Sequence, residues 1–240
     1  MLTFSLPSLD AVLYVFKGCG YTIGLVLGAM GLGLALGLPM AAIQVYGPKW
    51  AKRLVGVYVW FFRGVPILVL LFLFYFGIFG VLEKTLSSIF GQAVVLPPLV
   101  ASVAALGLAS GAYQSQIFRG AILSLHRGQY LAAKSLGFTP IKAIFSVILP
   151  QALRLAIPAW ANEYSILLKD SAVAYVLGTL EIMSRVGHMA ATTHAHATFY
   201  ILAGLLYFAL THLGITALKA VDKATRIPGL GRDRTEAVGH

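Results

Sequence analysis

Four stretches of this chain contain no Asp, Glu, Lys or Arg: Gly18 to Pro48, Gly64 to Leu82, Thr85 to Phe118 and Val186 to Leu218. A helix crosses the hydrocarbon core of a bilayer in about 20 apolar residues. In lipid only helices and closed barrels satisfy every backbone polar group, and the runs lack the alternation of a membrane barrel. The chain is therefore predicted to be an all-α integral membrane protein with five transmembrane helices, near 20–44, 56–80, 96–118, 154–178 and 198–219. Composition points the same way: 59% of residues are hydrophobic and 11% charged, where a soluble domain carries about 25% charged residues. Too few polar side chains are present to coat a soluble enzyme, and the low charge excludes disorder.

The net charge of +10 takes its meaning from where the basic residues sit. Lys49, Lys52 and Arg53 lie between spans one and two. Arg119, Arg127, Lys134, Lys142 and Arg154 lie between spans three and four. Lys219, Lys223, Arg226, Arg232 and Arg234 follow span five. With five spans these three segments share one side, and the other side holds Lys17, Lys84 and Arg185. Thirteen basic residues against three predict the N-terminus outside and the C-terminus in the cytoplasm. The basic excess is membrane topology, not a nucleic-acid footprint. Residues 1–19 are expected to form an outer interfacial segment, 20–219 a single transmembrane domain and 220–240 a cytoplasmic tail. The N-terminus lacks the basic n-region of a cleavable signal peptide.

Smaller features bound the chemistry. The single cysteine, Cys19, allows neither an internal disulfide nor a cysteine metal cluster. His194 and His196, with His188 nearby, lack the acidic or cysteine partners of a stable metal site, so no metal is expected and a wet outer loop is the better reading. Gly20, Gly24 and Gly28 form a four-residue ladder that suits close helix packing, within one subunit or at a dimer seam.

The segment Arg119 to Leu153 is too long for a structureless loop in a compact protein. Thr139 followed by Pro140 reads as a helix start. Ile141, Ile144, Phe145, Ile148 and Leu149 then make one apolar stripe, and Pro150 is expected to stop or bend the helix. Tyr130 to Leu136 reads as a shorter helix closed by Gly137 in a left-handed cap. The segment is thus a helix–glycine–helix element, apolar on one face and basic on the other. It suits the membrane surface, its own spans or a docking partner.

Residues 128–178, GQYLAAKSLGFTPIKAIFSVILPQALRLAIPAWANEYSILLKDSAVAYVLG, closely resemble the EAA-loop region of permease subunits of ABC importers for polar amino acids, the histidine/glutamine/arginine uptake permease family. FFRGVPILVLLFLFYFG (61–77) and SGAYQSQIFRGAIL (110–123) resemble that family's segments at the start of the second span and the end of the third. The resemblance implies a subunit of the bacterial cytoplasmic (inner) membrane. It would pair with a second permease, identical or paralogous, rest on a cytoplasmic ATP-binding subunit dimer and receive its amino acid from an extracytoplasmic binding protein. ATP and Mg would sit on the partner ATPase. This chain, with no G-x-x-x-x-G-K-[ST] phosphate loop, would be no enzyme and hold no cofactor. Its coupling residues would be Leu131, Ala132, Ala133, Gly137, Phe138 and Ile141. Leu131 stands where the family has glutamate, Gln116 where it often has glutamate, and Leu70 where it often has glutamine. The competing reading is a membrane channel or scaffold protein with an amphipathic cytoplasmic loop.

Glu163, Lys169 and Asp170 lie inside span four. Ionisable groups there are costly and face a bundle interior, a partner or a water-filled path. Glu163 and Asp170, seven residues apart, share a helix face at about 10 Å along the axis, with Asn162 beside them. A carboxylate pair on a wet face would hold an ammonium or guanidinium group. The alternative is internal, with Lys169 bridging Asp170 and Glu163 bonded to polar side chains. Arg63 either anchors at the cytoplasmic interface or precedes a helix break at Gly64–Pro66 that offers backbone groups to substrate. The candidate substrate-binding residues are therefore Glu163, Asp170, Asn162, Gly64 and Pro66.

Overall fold

The computed structural model describes residues 9–126 and 128–225. Expectations for residues 1–8, Arg127 and the tail beyond Thr225 fall outside them. All regular structure among the described residues is helical. Helix α1 spans Leu9–Tyr46 and α2 spans Lys49–Gly64. The helices α3 (Ile67–Phe72) and α4 (Gly80–Phe90) are joined by a π-helical run, Leu73–Phe79. Then come α5 (Pro98–Ser124), the short α6 (Gly128–Ser135) and α7 (Pro140–Ala143). A π run, Ile144–Ile148, leads into α8 (Leu149–Asp170), which tightens into a 3-10 turn at Ser171–Leu177. Finally α9 covers Ile182–Thr193 and α10 covers His196–Thr225.

Among the described residues four helical stretches are long and apolar enough to cross a membrane: Leu9–Tyr46, Ile67–Phe90, Pro140–Leu177 and His196–Thr225. The expected third span coincides with α5. This helix is less apolar because it carries Ser102, Ser110, Gln114 and Ser115, all buried. It lies between α1 and α8, where polar side chains can pair with one another.

Two prolines behave differently from each other. The expected span at 56–80 is broken: α2 ends at Gly64 and helix resumes at Ile67. Proline disfavours the helical region for the residue before it, and Val65 is extended at φ −92°, ψ 131°. Pro66 also has no N–H to give the ladder. The membrane-length stretch therefore runs 67–90 instead. Pro150, by contrast, does not stop its helix, which continues from Pro140 to Leu177. The π run just before it re-registers the backbone, as single π turns inside α-helices do, and the ring is accommodated at the start of α8.

The glycine face also differs from the expected ladder. A Cβ at Gly20 or Gly24 would meet nothing within 4 Å. At Gly37 it would stand 2.9 Å from Gln114 Cβ and 3.0 Å from the Ser115 backbone nitrogen, and at Gly33 it would overlap the Gln114 amide. The close approach of α1 to α5 thus runs chiefly through Gly33 and Gly37, and of the expected ladder only Gly28 joins it, where a Cβ would stand 3.3 Å from Val103 Cγ1.

At the other end of the bundle, Glu181 caps α9. Its carboxylate accepts from the Met183 and Ser184 amides at 2.8 and 2.7 Å and from the Tyr207 hydroxyl at 2.5 Å. One buried side chain so ties α9 to α10 while satisfying two first-turn donors.

Candidate functional site

Glu163 sits on the face of α8 that packs on α5 and is only 4% exposed. The Ser110 hydroxyl donates to Glu163 Oε1 at 2.7 Å. Ser110 is itself held by Gln114, whose amide nitrogen donates to Ser110 Oγ at 3.0 Å and to the Met30 carbonyl at 3.1 Å. The Gln114 carbonyl accepts from the Trp160 indole N–H at 2.8 Å. Every proton in this chain is assigned by its partners: an indole can only donate, and a backbone carbonyl can only accept. The serine proton therefore points at Glu163, and Glu163 is held as an acceptor.

A cavity of about 340 Å³ opens beside this carboxylate, lined by Arg63, Tyr113, Gln116, Asn162 and Glu163 among others. Every fully buried side-chain nitrogen and oxygen among the described residues has a partner. Ser110 engages Oε1, and Glu163 itself lines the cavity. The Arg63 guanidinium lies 5.1 Å from the centre of the Tyr113 ring, a cation–π distance. Gln116 is fixed by its bond to Gln44 Oε1 at 2.9 Å. One wall thus carries a carboxylate and another a guanidinium.

The structure brings Glu163, Asn162 and Arg63 to one cavity. Asp170, Gly64 and Pro66 are not part of its lining. Asp170 is half-buried at the end of α8, about two helical turns beyond Glu163.

The cytoplasm-assigned loop closes as a Schellman turn. Gly137 takes φ +82°, its amide bonds the Lys134 carbonyl at 3.0 Å, and the Phe138 amide bonds Ala133 at 3.1 Å. Thr139 then caps α7, its hydroxyl accepting from the Lys142 amide at 3.3 Å. Leu131 and Ile141 are 62% and 70% exposed, and Ala132 and Gly137 are also exposed. Ala133 is buried and belongs to the loop's own frame. Phe138 is half-buried under the Lys142 ammonium, 4.7 Å from the ring centre. The predicted stripe divides: Ile148 and Leu149 pack inward while Ile141 and Phe145 face out.

Residues 33–227 match the family model described as "Binding-protein-dependent transport system inner membrane component". The chain belongs to this family of inner-membrane transport permeases. The octopine transport system permease protein of Rhizobium radiobacter is 34% identical over 194 residues, covering 80% of this chain and 78% of the relative. The histidine/lysine/arginine/ornithine transport system permease protein of Escherichia coli (strain K12) is 31% identical over 210 residues, covering 88% of each. Among solved structures, an amino acid ABC transporter crystallised with histidines matches at a TM-score of 0.75 and 29% identity, over 92% of this chain and 100% of that one. An inward-facing methionine ABC transporter shares the fold at 21% identity and a TM-score of 0.73.

Membership bears out the reading as a permease subunit of an ABC transport system over the channel or scaffold alternative. Within this permease, Ser110, Gln114 and Trp160 were invisible as site residues in the sequence. Their only signal was polar residues at 110 and 114 on one face of an apolar helix. Arg63, read either as an interface anchor or as the residue before a helix break, lines the cavity.

Proposed function

We propose that the permease carries a basic amino acid into the cytoplasm and recognises it in the cavity beside Glu163. The observation that carries this reading is a nearly buried carboxylate, held through one oxygen by Ser110, on a residue that lines the same cavity as Arg63. A zwitterion with a cationic side chain matches that pair: its α-carboxylate faces Arg63 and its side-chain cation faces Glu163. The volume falls in the range of small-molecule sites, about 300–1,000 Å³. Relatives named for histidine, lysine, arginine and ornithine transport support the same class. Asn162 orients the substrate. The broken helix at Gly64–Pro66 leaves carbonyl groups beside Arg63 for the substrate ammonium, and Asp170 receives the cation further along the path.

The chain crosses the membrane five times, with α5 as the central span, the N-terminus outside and the C-terminus in the cytoplasm. Supporting this are the basic residues of the α6–α8 loop and of the end of α10. The outer segment, transmembrane domain and cytoplasmic tail divide at about residues 19 and 220. Two permease subunits form the pathway, served by an extracytoplasmic amino-acid-binding protein. A cytoplasmic ATPase dimer, which holds ATP and Mg, docks on Leu131, Ala132, Gly137, Phe138 and Ile141, with Ala133 shaping the loop. Exposed Leu136 and Phe145 extend that surface. Docking without the motif's glutamate rests on shape and apolar contact.

The test is uptake by proteoliposomes holding the assembled transporter, loaded with ATP and supplied with its binding protein. Labelled arginine, lysine, histidine, glutamine and glutamate are compared. ATP-dependent uptake of a basic amino acid is expected; uptake confined to neutral or acidic ones would overturn the reading.

A further inference from the structure

A cavity of about 610 Å³ lies away from Glu163, where the ends of α1 and α5, the start of α2, α6 and the π run before α8 converge. Its polar wall holds Lys52, Arg119 and His126, and among the described residues no acidic one lines it. Its apolar wall includes Ile122, Leu125 and Ile148. The Lys52 ammonium donates to the Val45 carbonyl at 2.8 Å, which positions it at the end of α1 and leaves two of its three donors unused. Among the described residues none pairs with the Arg119 guanidinium. The rim is stiff: the Tyr46 and Tyr130 rings stack at 5.2 Å between α1 and α6.

We infer that this pocket is a binding site for the phosphate group of an anionic phospholipid. The argument is one of complementarity. A phosphodiester needs convergent cationic donors, which Lys52 and Arg119 supply, with His126 adding an N–H. An acyl chain needs an adjoining apolar wall, which Ile122, Leu125 and Ile148 supply. Basic pockets between membrane helices on the cytoplasmic side are suited to anionic headgroups, and the inference rests on the topology proposed above, in which this pocket lies on that side. A free phosphate would satisfy the cations and leave the apolar wall unused. The bound lipid bridges the ends of α1 and α5 to the loop that carries Leu131, so it braces the coupling loop against the bundle.

The experiment is native mass spectrometry of the purified full chain in a neutral maltoside detergent. It is titrated separately with short-chain phosphatidylglycerol, short-chain phosphatidylcholine and inorganic phosphate. Wild type is expected to retain one phosphatidylglycerol in preference to phosphatidylcholine. The double variant Lys52→Gln/Arg119→Gln is expected to lose that preference by roughly tenfold or more. Lys52→Arg, which keeps the charge, and Lys84→Gln, a basic residue elsewhere, are expected to keep it; their elution as folded monodisperse species controls for misfolding. Three outcomes would overturn the inference. They are equal retention of the two lipids by wild type, an undiminished preference in the double variant, and displacement of the lipid by millimolar phosphate, which would make the pocket a free-anion site.

Discussion

Ser110 and Glu163 stand 2.7 Å apart across the α5–α8 contact, the serine donating and the glutamate accepting. The direction of that bond follows from residues further off. Trp160 must donate to Gln114, Gln114 must give its two N–H groups to Met30 and Ser110, and Ser110 is left with one proton and one place to send it. A donor-only indole and an acceptor-only carbonyl thus set the polarity of a buried carboxylate's environment.

Removing the donor should therefore be felt at the substrate. Ser110→Ala removes the hydrogen bond to Glu163 Oε1, and a hydrogen bond to a charged group contributes about 1.5–3 kcal/mol. The expected result is a rise of roughly tenfold or more in KM for a basic amino acid, with ATPase coupling intact. Ser110→Thr, which keeps the hydroxyl, should stay near wild type. Transport kinetics in proteoliposomes decide it; equal KM values for serine and alanine would show that the bond has no part in recognition.

Gln114 matters first for stability. It is fully buried, and Gln114→Leu strands the Trp160 N–H and removes the donor that Gln114 gives to the Met30 carbonyl and the Ser110 oxygen. An unsatisfied buried group costs about 1–3 kcal/mol. Thermal unfolding in detergent should show a clearly lower midpoint, and Gln114→Glu should not rescue it, because a carboxylate cannot donate to Met30 in its ionised form. A Gln114→Leu protein as stable as wild type would refute the network.

The phase of the α1 glycines gives a paired test. Gly33→Ala pushes a methyl into Gln114, whereas Gly24→Ala meets open space. Overpacking costs about 1–3 kcal/mol, so the first should lower the unfolding midpoint and the second should not. If Gly24→Ala is the damaging one, α1 and α5 are packed through the other face.

On the loop, Ile141→Asp and Phe145→Asp place charge on exposed apolar positions of the proposed docking surface. Each should reduce co-purification of the ATPase several-fold without changing the yield of the permease. Full retention of the ATPase by both would move the docking surface elsewhere.

How much of this was readable in advance depended on range. The α6–α7 turn was legible because its determinants are local: Gly137 supplies a positive φ and Thr139–Pro140 a cap and first turn. The two prolines looked alike in sequence, and only the π run at Ile144–Ile148 separates a helix that continues from one that breaks at Val65. Glu163 was legible because a carboxylate in a span is conspicuous. Its supports were not: Met30, Ser110, Gln114 and Trp160 are ordinary residues until tertiary packing brings three helices together. The glycine ladder showed that α1 packs closely somewhere, but nothing local distinguishes Gly24 from Gly37. Arg63 stayed open between an interface anchor and the edge of a helix break because its neighbour Tyr113 lies 50 residues away in sequence.

The most direct measurement is the uptake of a basic amino acid by proteoliposomes containing Glu163→Gln in the assembled transporter. Glutamine fills the same space and can still accept from Ser110, but it carries no charge. The account predicts that KM for the cationic substrate rises at least about tenfold, as expected for losing a charge-assisted contact, while the unfolding midpoint stays close to wild type. Unchanged KM and rate for the basic substrate in a folded, ATPase-coupled complex would contradict it.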